Sequence, residues 1–265
     1  MFTSQNANAM ELQVRKSRYL ELYVKPAAAE LIGTFSFVFI GAGSAVANTM
    51  THNSIGIVGV AIAHGLALAI MITIFMATSG GHINPAVTAG FIATNRISPA
   101  KGLLYIVAQL IGATLAALAL RVIFPPAVWQ AAKLGTPSLA PGIVFGVGVF
   151  TEMILTFFLV LAVFGTIVDK RSTNIGGFGV GLIVLVGILM AASITGPAIN
   201  PARAFGPALA GGFWQDQLVY WIGPIIGGVI AAVVYDTLIL RSPNGNNEKQ
   251  SNNNVPNNVA DTPKA

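Results

Sequence analysis

The sequence predicts an all-α membrane protein with six transmembrane helices and two re-entrant half-helices, arranged as an inverted repeat. Composition gives the first observation, because 54% of the 265 residues are hydrophobic and only 9% are charged, whereas soluble domains carry about 25% charged residues. The second observation is a series of long apolar stretches. The third is the tripeptide Asn-Pro-Ala, which occurs twice in this apolar chain.

Six apolar stretches are long enough to cross a bilayer core, which needs about 20 residues per helix. They cover residues 27–48, 55–78, 102–123, 143–168, 176–192 and 218–240. Two further apolar stretches, 84–94 and 200–210, would each cover only roughly 16 Å. Irregular backbone at membrane depth is tolerated only where it is buried in protein or lines a watery cavity. We therefore predict that these two stretches are re-entrant half-helices.

The polar flanks complete the predicted domain organisation. Residues 1–25 are expected to be a cytoplasmic N-terminal segment without a signal peptide, and residues 26–241 the transmembrane domain. The Asn- and Pro-rich residues 242–265 are expected to be a disordered cytoplasmic tail. Lys and Arg concentrate on one side of the spans, so the positive-inside tendency places both termini in the cytoplasm.

The charge and cysteine counts exclude several classes of function. The net charge of +5 lies mainly in the tails and short connections, so it does not indicate nucleic-acid binding. The chain has no Cys, which rules out disulfides, thiolate nucleophiles and cysteine metal sites. No other nucleophilic, metal-binding or phosphate-binding pattern stands out, so we expect no enzyme and no cofactor.

The chain repeats itself over residues 26–123 and 142–241. The segment AELIGTFSFVFIGAGS, with Glu30, parallels FTEMILTFFLVLAVFGT, with Glu152, and SGGHINPAVTAG parallels TGPAINPARAFG. Each repeat holds three spans, an odd number, so the second copy must enter from the opposite face of the membrane. This inversion predicts that the half-helices meet N-terminus to N-terminus at the midplane.

Both tripeptides have the pattern of a helix start, with Asn as N-cap and Pro at the first helical position. They are Asn84-Pro85-Ala86 and Asn200-Pro201-Ala202. Each half-helix N-terminus carries roughly half a positive charge. We expect both Asn residues to point an amide donor into one lumen, where they orient a small molecule and interrupt a proton wire. The alternative is that both are helix caps alone.

The motifs GGHINPAVT and GPAINPARAFGP make the chain resemble the aquaporin, or major intrinsic protein, family from about residue 27 to 240. The resemblance implies a narrow pore, four protomers per tetramer, and passive flow of water or small neutral solutes through a lipid bilayer. It also implies a selectivity filter, which spacing transfers to His64, Ile188, Pro197 and Arg203. This combination of filter residues is similar to that of some plant vacuolar and archaeal members. Pro197 departs from the family pattern, because proline offers no side-chain hydrogen bond.

Arg203 follows Asn200 by three residues, and its counterpart in the first half is Val87, which suggests one filter on the extracellular side. Snorkelling of Arg203 to an interface is the alternative for this residue. For His64 the alternative is helix–helix packing.

Three further residues are candidates at the same site. Glu30 and Glu152 are expected to support the re-entrant loops by accepting backbone N–H groups, with a proton relay as the alternative. His82 is expected to contribute to the cytoplasmic vestibule, and a pH gate is the alternative because His titrates near neutral pH.

The sequence therefore predicts a passive channel for water, and for ammonia or other small neutral solutes, that excludes protons and ions. Ala204, Ala208 and the pair Tyr220-Trp221 favour the water-type branch of the family. A glycerol or small polyol facilitator, a secondary transporter and a non-conducting junction protein are the alternatives. We expect a homotetramer in the plasma membrane.

Overall fold

The computed structural model describes residues 4–173 and 175–240, and helices dominate these residues with no strand among them. The predicted tail 242–265 lies outside the described residues. The helices are α1 (Ser4–Tyr19), α2 (Lys25–Met50), α3 (Gly56–Ser79), α4 (Pro85–Ala93), α5 (Pro99–Ile123), α6 (Pro126–Ala131), α7 (Phe145–Val163), α8 (Gly177–Ala191), α9 (Pro201–Gly211) and α10 (Val219–Val234).

The six predicted spans correspond to α2, α3, α5, α7, α8 and α10. Five of them lie in helices that are long and apolar enough to cross a membrane. The remaining span, α8, has 15 residues and covers about 22 Å. The half-helices α4 and α9 have 9 and 11 residues, so the prediction of six helices and two half-helices is confirmed.

Three π-helical turns extend the long helices. The turn Leu20–Val24 joins α1 to α2, so the polar N-terminal segment is helical from Ser4 and continues the first span. The turns Phe164–Val168 and Tyr235–Leu240 prolong α7 and α10. The sequence did not predict this continuous N-terminal helix, because its polar composition carries no apolar stripe.

The helices pack in a pattern that repeats between the two halves. In the first half α2 packs on α3 and α5, and in the second half α7 packs on α8 and α10. Each half-helix crosses to the other repeat, with α4 against α10 and α9 against α5. A Cβ at Gly112 would collide with the backbone of Leu31, and one at Gly227 with that of Met153. These matching glycines let α5 approach α2, and α10 approach α7, at backbone distance.

Candidate functional site

The two half-helices meet tip to tip inside the protein. Asn84 Nδ2 donates to the carbonyl oxygen of Ile199 at 2.9 Å, and Asn200 Nδ2 donates to that of Ile83 at 2.8 Å. Both asparagines are 3% exposed. Each tip is therefore tied to the residue that precedes the Asn of the opposite motif, as expected for N-termini that approach from opposite sides.

The same asparagines cap their own helices. Asn84 Oδ1 accepts from the Ala86 N–H at 2.9 Å, and Asn200 Oδ1 accepts from the N–H groups of Ala202 and Arg203 at 3.0 and 3.3 Å. An amide has two N–H donors, and one of each pair is used between the repeats. Each asparagine amide therefore keeps one further N–H, and only this N–H can serve as the donor that the sequence predicts for the lumen.

The carboxylate of Glu30 holds the first re-entrant loop. It accepts from Ser79 Oγ at 2.6 Å, from the backbone N–H groups of His82 and Ile83 at 2.9 and 2.6 Å, and from Gln109 Nε2 at 2.7 Å. Glu30 is fully buried. These four donors occupy acceptor positions on both carboxylate oxygens.

The carboxylate of Glu152 holds the second loop in the same way. It accepts from Thr195 Oγ1 at 2.8 Å and from the backbone N–H groups of Ala198 and Ile199 at 3.2 and 2.8 Å. Tyr220 reinforces this loop by donating its hydroxyl to the carbonyl oxygen of Thr195 at 2.6 Å. Both buried acids thus bind backbone immediately before a half-helix.

The residue before each Asn has a left-handed backbone, with φ of 54° at Ile83 and 56° at Ile199. A β-branched side chain in this region is a true outlier, and such strain costs about 1–3 kcal/mol per residue. The conformation turns the backbone N–H toward the glutamate and the carbonyl toward the opposite asparagine. The hydrogen bonds on both sides therefore hold the strained turn.

A cavity of about 380 Å³ lies beside the start of α9. All four predicted filter residues line it, namely His64, Ile188, Pro197 and Arg203. Arg203 is 5% exposed and His64 is 2% exposed. The structure therefore brings these four residues together from α3, α8, the second loop and α9.

Arg203 is held by two acceptors. It donates from one terminal nitrogen to the carbonyl oxygen of Gly135 at 2.7 Å and from the other to His64 Nε2 at 3.3 Å. His64 Nδ1 lies 2.9 Å from the carbonyl oxygen of Val60. A carbonyl can only accept, so Nδ1 carries the proton and Nε2 accepts from the arginine. His64 is therefore the neutral tautomer protonated at Nδ1.

The first repeat has a different polar cluster at the matching place. Thr88 Oγ1 donates to the carbonyl oxygen of Asn84 at 3.1 Å and receives Gln109 Nε2 at 3.1 Å and His82 Nδ1 at 3.1 Å. His82 is 4% exposed and packs against Phe91, with ring centroids 4.3 Å apart. His82 does not line the cavity at Arg203, and its predicted place in a vestibule stays a prediction.

Several residues of the site were not predicted from the sequence, namely Ser79, Gln109, Gly135 and Thr195. The repeat held a signal for two of them, because SGGHINP and TGPAINP place Ser79 opposite Thr195. Gly135 acts through its backbone carbonyl, so its residue type carries no such signal.

Two ion pairs lie at the far ends of the spans from this cavity. Arg96 donates to Asp236 at 2.7 Å, and Arg171 binds both carboxylate oxygens of Asp169 at 2.9 and 2.8 Å. The side-chain and backbone hydrogen bonds from Arg171 hold the pKa of Asp169 well below its usual range.

The fold and the paired motifs define a channel-type membrane protein, and comparison with known proteins identifies the family. Residues 17–235 match the Major intrinsic protein family, so the chain belongs to the major intrinsic protein (aquaporin) family, a family of membrane channels. It is thus an integral, multi-pass membrane protein.

Relatives from plants and animals cover most of the chain. It is 45% identical over 227 residues to Aquaporin TIP4-4 of Zea mays, covering 82% of this chain and 87% of the relative. It is 39% identical over 224 residues to Aquaporin TIP1-2 of Zea mays (82% and 86%) and 37% identical over 225 residues to Aquaporin-4 of Mus musculus (83% and 69%). These TIP-type relatives do not support the expected plasma-membrane location.

A solved structure shares the fold. The X-ray structure of the aquaglyceroporin from Plasmodium falciparum superposes with a TM-score of 0.73 at 29% identity, covering 82% of this chain and 97% of that one. The alternative of a glycerol facilitator therefore stays open beside the water-type relatives.

Proposed function

We propose that this protein is a passive channel for water, and for ammonia or other small neutral solutes, that excludes ions and protons without catalytic turnover. The observation that carries the proposal is the reciprocal pair of bonds between the half-helix tips, Asn84 to Ile199 and Asn200 to Ile83. These bonds join two helix N-termini inside the protein, which supports a shared site at the midplane of the bilayer.

The paired tips explain how ions and protons are excluded. Each N-terminus carries roughly half a positive charge, so together they repel cations at the point where the two tips meet. The second amide N–H of Asn84 and of Asn200 is available to one water oxygen. A water that accepts both donors turns its own hydrogens away from the pair, which interrupts the donor–acceptor order that proton hopping needs.

Arg203 supplies the second barrier. A cation inside a membrane costs about 2.5–3.5 kcal/mol on insertion scales, and this one is retained by Gly135 and His64. Its fixed positive charge repels cations that enter the cavity, while its remaining N–H groups can bind the oxygen of a neutral solute. We infer that His64, Ile188, Pro197 and Arg203 form the selectivity filter.

A glycerol or small polyol facilitator is the second candidate, supported by the aquaglyceroporin structure. Ala204 and Ala208 are both fully buried and stand where the resemblance implies Asp and Lys in glycerol facilitators. These two positions favour water over glycerol.

The assembly and orientation belong to the same proposal. Helices α3 and α8 expose large apolar side chains, among them Ile62, Leu66, Leu182 and Val186, which need a lipid or protein neighbour. We propose a homotetramer in a bilayer, with residues 26–241 as the channel domain and both termini in the cytoplasm.

The test is osmotic flux into proteoliposomes that contain the purified full chain. We expect water flux well above that of protein-free liposomes, with a low activation energy and no dependence on an ion gradient. Ammonia and glycerol uptake measured in the same vesicles separates the two candidate solute classes. Water flux equal to that of protein-free liposomes would contradict the proposal. Glycerol uptake well above that of protein-free liposomes would replace it with the second candidate.

A further inference from the structure

An apolar groove lies on the outside of the protein between α5 and α9. Its volume is about 320 Å³, and the side chains that form most of its walls are Val107, Ile111, Leu115, Phe205 and Leu209. Four of these five residues, all except Phe205, are 45–46% exposed. A patch of this kind on the surface of a protein needs an apolar neighbour.

The walls of the groove offer no free polar side chain. Thr114 also lines the groove, but its hydroxyl donates to the carbonyl oxygen of Leu110 at 2.8 Å. A polar occupant would lose its hydrogen bonds to water here without gaining others, which is unfavourable. The part of the occupant that lies in the groove is therefore a hydrocarbon.

A cation closes one end of the groove. Arg121 follows Thr114 by seven residues, which is about two turns of α5, so both residues lie on the same face of the helix. Arg121 donates to the carbonyl oxygen of Ala210 at 2.6 Å, and Ala210 directly follows Leu209 of the groove wall. The arginine thus bridges α5 and α9 at the point where the groove ends.

Arg121 keeps donors for a further partner. It is exposed, and no acid in the described part of the chain forms an ion pair with it. The Trp129 ring centroid lies 4.9 Å from the guanidinium carbon, so the ring covers one face. A guanidinium has five N–H donors, and Ala210 takes one of them. The remaining edge suits a phosphate, which accepts two parallel N–H bonds.

The three tryptophans of the chain indicate the depth of this arginine. Trp129 lies on Arg121, and Trp214 and Trp221 lie 5.8 and 6.2 Å from the ring of Phe205 in the groove wall. Tryptophan is enriched where a membrane meets water. These contacts place the Arg121 end of the groove at the level of the lipid headgroups.

The length of the groove matches one leaflet of a bilayer. Val107 and Arg121 are 14 residues apart on α5, which corresponds to about 21 Å. Half of a bilayer, with its headgroups, is about 20–22 Å thick. A phospholipid whose phosphate binds Arg121 can therefore lay one acyl chain along the whole groove.

We propose that the groove between α5 and α9 is a binding site for an anionic phospholipid, with one acyl chain in the groove and the phosphate on Arg121. The proposal goes beyond the channel function and does not depend on which solute passes. It adds a lipid that ties α9 to α5 on the outer surface of the protein.

The test is thermal unfolding of the purified full chain in detergent during titration with dioleoyl phosphatidylglycerol or dioleoyl phosphatidylcholine. We expect phosphatidylglycerol to stabilise the wild type at about tenfold lower concentration, because its anionic headgroup strengthens the bond to Arg121. Arg121→Gln should abolish this preference, and Arg121→Lys should keep part of it. The matched control is Lys133→Gln, which removes a nearby exposed cation that lies beside Ser138, and it should keep the full preference.

The acyl chain is tested separately. Leu115→Trp fills the groove and keeps Arg121, so phosphatidylglycerol should bind it several-fold more weakly than it binds the wild type. Inorganic phosphate, which has no acyl chain, should give no stabilisation at the same concentration. These two measurements also keep the proposal testable if Arg121→Gln fails to fold.

Four outcomes would overturn the proposal. Equal stabilisation by both lipids would mean unselective lipid contact, and equal losses in Arg121→Gln and Lys133→Gln would mean general attraction to a charged face. Stabilisation by inorganic phosphate as strong as that by phosphatidylglycerol would reduce the site to an anion site without a chain. Stabilisation that depends on protein concentration and not on lipid would assign the groove to a second copy of the chain.

Discussion

The two re-entrant loops, residues 79–84 and 195–200, are supported in the same way, but the half-helices that follow them carry different polar side chains. In each loop a glutamate from the first span of its repeat, Glu30 or Glu152, accepts two successive backbone N–H groups and one hydroxyl. Each loop also ends in a left-handed isoleucine. The support has been kept in both copies.

The half-helices that follow the loops diverge. The position of Arg203 in α9 is Val87 in α4, and that of Ala204 is Thr88. In the first repeat the hydroxyl of Thr88 accepts hydrogen bonds from His82 and Gln109. In the second repeat Arg203 donates a hydrogen bond to His64. The comparison teaches that the two repeats share one backbone frame and differ in the polar side chains that it carries.

Removal of the glutamate that supports each loop should have the largest effect on the stability of the protein. Glu152→Ala leaves a buried hydroxyl and two buried backbone N–H groups without their acceptor, which should destabilise the protein by about 3 kcal/mol or more. Glu30→Ala should cost at least as much, because the Gln109 amide also loses one of its two acceptors. Thermal unfolding in detergent measures both losses.

The matched control for these variants is Thr156→Val in α7. Its hydroxyl donates only to the carbonyl oxygen of Glu152 within the same helix, so its unfolding temperature should change little. If one glutamate variant were as stable as this control, the two loops would not share one support.

The second-largest effect is expected when Arg203 and Val87, the matched residues that differ between the half-helices, are exchanged. Arg203→Val gives the second half-helix the residue of the first, so the proposed constriction would lose its cation and become wider. We expect urea or glycerol flux to rise by about tenfold, equivalent to a barrier about 1.4 kcal/mol lower, or protons to leak. Solute uptake and a pH-sensitive dye in proteoliposomes measure the two effects.

The reciprocal change, Val87→Arg, tests whether the first half-helix can hold a buried arginine as the second half-helix does. It buries a cation without the acceptors that Gly135 and His64 provide in the second repeat, so it should cost about 2.5–3.5 kcal/mol. Unchanged selectivity in Arg203→Val, or full stability of Val87→Arg, would show that the two half-helices are equivalent at this position.

This contrast also marks how much could be predicted from the sequence. The spans, the half-helices and their caps follow from apolar length and from Asn-Pro, because these are local properties of the chain. Gly135 and Gln109 could not be predicted. They lie far from the motifs in sequence. The left-handed turn at Lys133 and Leu134 brings Gly135 to the site, and the packing of α5 on α2 brings Gln109 to it.

A smaller effect is expected for Thr88→Ala, which copies Ala204 into the first half-helix. The change leaves Gln109 and His82 with one acceptor fewer, so it should destabilise the protein by about 1 kcal/mol. Thr94→Val is the control, since its hydroxyl bonds only to carbonyl oxygens of α4. Equal unfolding temperatures for the two variants would mean that the cluster at Thr88 contributes nothing to the first repeat.

The connections after the first span of each repeat give the smallest and most condition-dependent contrast. In the first repeat the neutral Asn48 accepts from the N–H of Gly56 at 2.9 Å, whereas in the second the hydrogen bonds of Arg171 keep the pKa of Asp169 below its usual range. A carboxyl whose pKa is lower in the folded state stabilises the protein above its unfolded pKa of about 3.9. That stability is lost as the pH falls through the folded pKa.

Asp169→Asn should therefore unfold more easily than wild type at pH 6 and differ from it progressively less below about pH 4. Asn48→Ala, which removes an uncharged acceptor, should show a difference from wild type that does not change over this range. A constant difference for Asp169→Asn would mean that its charge has no part in holding the second connection.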